Sequence, residues 1–258
     1  MNKDNKSSSR SVDRALNIIE ALASSELPLS SREISIRLDI PHSTLFEIMN
    51  VLTERGYIRK GEGKYYSISS TVIDILLAAV RNLSRDDIIR SVLSRITKTL
   101  GETSVFLQRD GDYVQFVEQV RGTYALVPSF PMGQRVPLYM ISAGKNFLAE
   151  MPQAELDEYL SKTRLVKSTD RTLVDQNALC AELDRVRQTD VAYSREEWQL
   201  GVAGVSIGVR NNGKLVGTIG VVIAAVRESP ELKEAIEAEL RRAARSVTQA
   251  MHLMSLHD

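Results

Sequence analysis

Three predicted helices and a short β-hairpin follow one another in residues 11–68, and this order constrains the fold more than any other feature. Apolar residues recur at helical spacing over residues 12–23, and further helices are predicted over residues 31–38 and 43–55. A glycine ends the third helix, and two short strands then flank a turn at residues 61–64. This order is the outline of a winged helix-turn-helix.

The third predicted helix has one apolar face and one polar face, as a recognition helix in the major groove of DNA requires. Leu45, Ile48, Met49 and Leu52 share the face predicted to be buried. The other face and the hairpin carry the candidate DNA-contacting residues: His42, Ser43, Thr44, Phe46, Glu47, Asn50, Arg59, Lys60 and Lys64.

The residue types on the polar face suit DNA in different ways. Ser43 and Thr44 at the helix start can donate to phosphates or base edges, Asn50 can pair with adenine, and Glu47 can accept from cytosine. Charge alone does not decide the matter, because residues 1–66 hold ten Lys and Arg against nine Asp and Glu. A helical hairpin used for packing or dimerisation therefore stays the alternative, as does an effector-binding module without specific DNA recognition.

The chain is predicted to have two domains joined by a helix. We expect a disordered tail at residues 1–10 with Ser11 as the first helix cap, a winged helix-turn-helix over 11–70, and a linker helix over 71–84. Residues 85–258 combine paired strands with helices, including a hairpin at Asn211-Asn212-Gly213. The predicted class is α+β, with an antiparallel sheet flanked by helices in the second domain.

Composition excludes several classes of protein. The net charge is zero, so any nucleic-acid contact depends on a local patch. A single cysteine, Cys180, excludes a disulfide framework, and the three histidines lie outside the core of the second domain. Composition leaves an enzyme with a pair of carboxylates open, because acidic residues are plentiful, but nothing in the sequence places two of them together. We therefore expect no metal, no cofactor and no enzymatic activity. The start of the chain lacks a signal peptide and the longest apolar stretch, residues 72–80, is too short to span a membrane, which predicts a cytoplasmic protein with no membrane partner.

Several segments resemble the IclR family of transcription regulators. The run from Ser11 to Leu22, Ile40-Pro41-His42-Ser43-Thr44 and Gly56-Tyr57-Ile58 resemble the family's opening helix, recognition helix and entry to the wing. The resemblance extends from about Ser11 to Val226. It implies a regulator that binds a double-stranded DNA operator and forms dimers through the DNA-binding half and often tetramers through the effector half. Family members often have basic residues where this chain has His42, Glu47 and Asn50.

The segment from Gly133 to Lys145 resembles the family's effector-domain signature, although Tyr139 replaces the usual histidine. The resemblance implies a GAF-like domain that binds a small organic carboxylate. The residues implied to line its pocket are Leu126, Val136, Met140, Ser142, Ala143, Ser194, Gly204, Gly220 and Val222. Physically, backbone N–H groups at a helix start suit a carboxylate, but small residues there also suit close packing.

The small residues at Ser194, Gly204, Gly220 and Val222 predict a roomier and less polar pocket than is usual in the family, and hence a larger or more apolar acid, such as an aromatic one. Trp198, the only tryptophan, is interpreted as an interface or core residue.

Overall fold

The computed structural model describes residues 4–82 and 84–255, which form two compact units, Met1–Asn82 and Leu83–Asp258. The division after Asn82 falls inside the linker helix predicted for residues 71–84. Residues 1–3 of the predicted tail, residue 83 of the linker and residues 256–258 of the second domain lie outside the described residues.

The first unit contains the predicted helices and wing. Its helices are α1 (Asp4–Ala23), α2 (Ser31–Leu38), α3 (His42–Glu54) and α4 (Ser70–Asn82), and its strands are β1 (Leu29–Ser30), β2 (Ile58–Lys60) and β3 (Tyr65–Ile68). The strands form an antiparallel sheet in the order β1-β3-β2. Ser30 and Glu33 form a reciprocal capping box at the start of α2. Helices and sheet enclose one apolar core that includes Ile18, Ile34 and Leu45.

The second unit contains a six-stranded antiparallel sheet in the order β6-β5-β4-β9-β8-β7. The strands are β4 (Thr103–Asp110), β5 (Tyr113–Val120), β6 (Arg135–Pro137), β7 (Val191–Arg195), β8 (Val202–Asn211) and β9 (Lys214–Ala224). The helices are α5 (Arg85–Leu100), α6 (Ser142–Glu150), α7 (Gln153–Lys162), α8 (Gln176–Thr189) and α9 (Pro230–Ser255). The predicted α+β class with an antiparallel sheet is confirmed.

This sheet separates two apolar cores, because alternate residues of a strand point to opposite faces. Phe106 packs with residues of α5 and α9 on one face, among them Ile96 and Leu240. Val105 and Leu107 pack on the other face with α6, α7 and α8. The start of α6 therefore lies over the face of the sheet that holds Val105.

The structure differs from the sequence-based predictions at short or locally ambiguous elements. Helix α1 begins at Asp4, so Ser11 lies inside the helix and does not cap it, and residues 4–10 of the predicted tail are helical. The strands β1, β6 and β7 were not predicted, since each has at most five residues. The partner of β1 is the distant strand β3, whereas β6 and β7 pair with their chain neighbours β5 and β8. No helix among residues 4–82 and 84–255 is long and apolar enough to cross a membrane.

Candidate DNA-binding surface and effector cavity

Helix α3 has the two faces that the sequence predicts. Leu45, Ile48, Met49 and Leu52 are its buried residues. The candidate DNA-contacting residues on α3 are exposed, except for the half-buried Thr44. No side chain caps the start of α3, so its first backbone N–H groups remain available to an anion such as a DNA phosphate.

The wing places its basic residues on the surface of the same unit. Arg59, Lys60 and Lys64 are all exposed. The Arg59 Nε donates a hydrogen bond of 2.9 Å to the Ser67 Oγ of the paired strand, which holds the guanidinium along the hairpin. The turn between the strands requires left-handed backbone at Gly63, with φ of 70°, and at Lys64, with φ of 65°. The turn thus presents Lys64 at the hairpin tip.

The second unit has a cavity of about 40 Å³ between the start of α6 and the sheet. Register explains how distant residues meet there. Ser194 pairs with Gly204 and Gly204 with Val222, while Ser206 pairs with Gly220 and Gly220 with Val105. These two adjacent rows cross β7, β8, β9 and β4 on the face below α6.

Six of the nine residues proposed for the effector pocket line this cavity. They are Ser142, Ala143, Ser194, Gly204, Gly220 and Val222. The other three, from which an apolar wall was expected, lie outside it. Leu126 is 68% exposed in the loop after β5, and Val136 and Met140 are buried in the core cluster beside the cavity.

Three aromatic residues supply the wall instead, and sequence analysis did not place any of them there. Phe116 lies on β5, Phe130 on the following loop and Trp198 on the loop between β7 and β8, and all three line the cavity. Their ring centroids are 4.8, 5.2 and 6.3 Å apart, so the rings pack against one another. The residues are far apart in sequence, and only the pairing order of the strands brings them together.

The polar part of the cavity lies at the start of α6. The Lys145 backbone N–H donates to the Ile141 carbonyl at 3.2 Å as the first helical hydrogen bond, so the three preceding N–H groups have no helical acceptor. Ser142 is 6% exposed, and among the described residues neither its hydroxyl nor that of Ser194 has a hydrogen-bond partner. A Cβ on Gly204 would lie 3.2 Å from both hydroxyl oxygens, so Gly204 leaves the space beside them open.

Gly144 has a packing role at the same helix start. A Cβ there would lie 1.9 Å from the carbonyl oxygen of Leu138, which no backbone adjustment of a few tenths of an ångström could relieve. Tyr139, in place of the usual histidine, donates its hydroxyl to the Val166 carbonyl at 3.0 Å and accepts from the Val166 N–H at 2.9 Å. Both residues therefore fix the turn that precedes α6.

A buried ion pair joins α6 to the loop that carries Trp198. Lys145 is 1% exposed, and its Nζ donates to the Glu197 Oε1 and the Tyr193 carbonyl, both at 2.8 Å. Burial raises the pKa of the Glu197 carboxyl above its ordinary value, although the Lys145 ammonium opposes this shift. Within the described part of the chain, no group of three or more His, Cys, Asp or Glu residues could hold a metal ion.

Two family models match this chain. The model described as the IclR helix-turn-helix domain matches residues 11–62, and that of the bacterial transcriptional regulator IclR C-terminal domain matches residues 78–249. The HTH-type transcriptional regulator KdgR of Escherichia coli is 28% identical over 249 residues, which cover 93% of this chain and 92% of KdgR.

Solved structures agree with this assignment. The crystal structure of the Thermotoga maritima IclR is 25% identical, with a TM-score of 0.62, and the match covers 94% of this chain and 99% of that one. The inducer-binding domain of PobR from Acinetobacter, a double mutant in complex with 3-hydroxybenzoic acid, is 25% identical with a TM-score of 0.58, covering 62% of this chain and 94% of that domain. The chain belongs to the IclR family of DNA-binding bacterial transcription regulators, which small-molecule effectors control.

Proposed function

We propose that the first unit recognises an operator through α3 and the wing, and that the cavity of the second unit binds a small organic carboxylate that controls this recognition. The observation that carries the proposal is the pair of unpartnered hydroxyls, Ser142 and Ser194, at the uncapped start of α6. We assign the chain no enzymatic role, and we place it in the cytoplasm because its DNA partner lies there.

Exposure and chemistry support the DNA-binding surface. Side chains that read base edges must leave the protein core, and Phe46, Glu47 and Asn50 are exposed on the face of α3 opposite its buried residues. The basic residues of the wing suit phosphates, whose contacts position a protein without reading sequence.

The DNA proposal separates base reading from positioning. Asn50→Ala should weaken binding by about 1–3 kcal/mol at one operator base pair and relax specificity there, if its contact with adenine is bidentate. Lys64→Ala should weaken binding to all duplexes alike, because a phosphate contact carries no sequence information. Fluorescence anisotropy with a panel of single-base operator variants measures both. Equal losses for Asn50→Ala at every base position would contradict base reading.

Electrostatics favour a carboxylate in the cavity. The free N–H groups at the start of α6 carry the positive end of the helix dipole, and Ser142 and Ala143 of this helix start line the cavity together with Ser194. A carboxylate accepts from several donors at once, so it would pair these groups without leaving a buried donor unmet. The PobR domain, solved in complex with 3-hydroxybenzoic acid, is a structural neighbour that binds a ligand of this class.

Gly204→Ala tests the placement of the carboxylate. The added methyl would occupy the space beside the hydroxyls of Ser142 and Ser194, so ligand binding should be lost while DNA binding without ligand persists. Gly208→Ala is the matched control, since it lies on the same strand outside the cavity and its Cβ would meet only the ends of the Leu215 and Arg210 side chains.

Titration calorimetry with a panel of aliphatic, sugar and aromatic acids measures the ligand affinity of wild type and both variants. Undiminished binding by folded Gly204→Ala would refute the placement, and no binding of any acid to wild type would refute the ligand class. Where an acid changes operator affinity by some factor, DNA must change the affinity for that acid by the same factor.

We also propose that the protein acts at least as a homodimer, and as a tetramer where the effector units associate. One winged helix reads a half-site, and two half-sites are needed for a useful specificity ratio. Sedimentation at micromolar concentration should give a mass at least twice the 28.8 kDa of one chain. A species of 28.8 kDa alone would contradict this assembly.

A further inference from the structure

We propose that Trp198 limits the size of the effector, so that the ligand is a short aliphatic monocarboxylic acid of about five or six non-hydrogen atoms and not an aromatic acid. This inference rests on the proposed binding of a carboxylate at the start of α6. It reverses the expectation of a roomier pocket that the small residues on β7, β8 and β9 raised.

The aromatic rings leave no slot for a further ring. The Phe116 and Phe130 centroids are 4.8 Å apart, and those of Phe130 and Trp198 are 5.2 Å apart. A planar ligand inserted between two rings needs them about 7 Å apart, because stacked carbon atoms sit about 3.5 Å from each other. The three rings therefore form one packed wall of the cavity, with no gap between them that a planar ligand could enter.

Hydrogen bonds hold the backbone of the Trp198 loop in place. The Ser168 hydroxyl donates to the Trp198 carbonyl at 2.6 Å, and the Thr172 hydroxyl donates to the Glu197 carbonyl at 2.6 Å. The Glu197 carboxylate accepts from the buried Lys145. Since consecutive residues of the loop are tied to the 168–172 segment and to α6, Trp198 acts as a fixed wall.

Two hydrogen bonds also hold the backbone of Phe130, whose ring packs against that of Trp198. The side-chain amide of Gln119 donates to the Phe130 carbonyl at 2.8 Å and accepts from the Phe130 N–H at 3.4 Å. The wall is therefore organised before a ligand enters, which means that an oversized ligand must break these contacts to bind.

Volume and polarity together define the ligand. A water molecule needs roughly 10–15 Å³ of such a cavity, so the 40 Å³ present hold about three water molecules. At about 30 Å³ of liquid volume for each water, these three fill roughly 90 Å³, which is about the van der Waals volume of propionate or butyrate. Ser206 already accepts from the Asn146 side chain at 2.7 Å, which leaves the hydroxyls of Ser142 and Ser194 for one carboxylate. Further polar groups on a ligand, such as sugar hydroxyls, would meet apolar side chains and stay unpaired.

The decisive experiment is titration calorimetry of the full chain with butyrate and benzoate. Wild type should bind butyrate at least about tenfold more tightly than benzoate, since one methylene in a pocket already changes affinity by about 10–200-fold. Trp198→Ala should remove or reverse this preference, because loss of the indole enlarges the cavity that it lines. Phe147→Leu should keep it, because Phe147 lies in the same core on α6 but does not line the cavity.

The results distinguish three claims: the size limit, the role of Trp198 and carboxylate binding itself. Benzoate binding to wild type as tightly as butyrate would overturn the size limit, and an unchanged ratio in Trp198→Ala would overturn the role of Trp198. Phe130→Leu gives the same comparison should Trp198→Ala lose its circular dichroism signal. Binding of none of the panel acids to wild type would refute carboxylate binding itself, whereas tight binding of larger acids alone would refute only this inference.

Discussion

The recognition surface and the effector cavity are built in opposite ways. The α3 candidates lie within His42–Asn50, and one helix with an apolar face suffices to display them. The cavity takes its lining from positions between Val105 and Val222, on strands, loops and a helix start. The comparison teaches that a surface site is specified by local pattern, whereas a cavity is specified by which strands pair and in what register.

The two sites also differ in how they treat charge. Apart from the half-buried Thr44, the candidate contacts of the first unit are exposed to solvent. Behind the cavity, the second unit buries the ammonium of Lys145 and most of the Glu197 carboxylate. The attraction between the two charges offsets the free energy that each loses when it leaves water. Changes of one residue should therefore be far more costly around the cavity than on the recognition surface.

Lys145→Met gives the largest expected effect. It leaves the Glu197 carboxylate buried without its cation, which should lower the stability of the second unit by about 3–5 kcal/mol. The loss should grow as pH rises, because a carboxyl whose folded pKa is raised binds its proton more tightly in the folded state, and stability then falls as pH rises through that pKa. Hydrogen exchange measured separately for the two units checks both statements.

The exposed pair of Lys162 and Glu158 provides the control for that change. Lys162→Met should leave exchange in the second unit unchanged, because water solvates the remaining carboxylate. Equal effects of Lys145→Met and Lys162→Met would remove the contrast between buried and exposed charge.

Adjacent residues of α3 should behave oppositely. Leu45→Ala removes a side chain that is 1% exposed and should destabilise the first unit by about 2–5 kcal/mol. Phe46→Ala removes one that is 63% exposed and should leave stability within about 0.5 kcal/mol while weakening operator binding. Urea unfolding followed by circular dichroism, together with anisotropy on the operator, separates the two effects. Loss of stability in Phe46→Ala would mean that this face serves packing.

Substitution of the helix caps should give the smallest loss of stability, and this loss should be the same in both units. Ser30→Ala and Ser84→Ala each remove the side chain of a reciprocal capping box, and each should cost about 1 kcal/mol in its own unit. Hydrogen exchange in the first turns of α2 and α5 gives the comparison. A markedly larger loss at one of the two caps would show that tertiary context affects even these local motifs.

The sequence predicted what depends on neighbours along the chain. Helical periodicity correctly identified the buried face of α3, and Asn211-Asn212-Gly213 marked the hairpin between β8 and β9. Position by position, the family resemblance also led to Ser194 and Gly204, which the register of β7 and β8 pairs, and to Ser142 at the start of α6 beside them.

The missed residues needed information that no local pattern contains. Phe116 alternates with its neighbours as any strand residue does, and nothing near Trp198 shows that its loop folds over α6. Only the pairing of β5 with β4, β4 with β9 and β9 with β8 brings these rings to one wall. Small residues suggested a large pocket because the bulky residues that also line it lie elsewhere in the sequence.

Trp198 is the only tryptophan in the chain, and its ring forms part of the cavity wall. The intrinsic fluorescence of the protein excited at the red edge of the absorption band therefore originates at this single place. A ligand that displaces water from the cavity alters the surroundings of one indole, so its arrival changes emission wavelength and intensity without any attached dye. The native protein is thus its own optical sensor for whatever occupies the second unit.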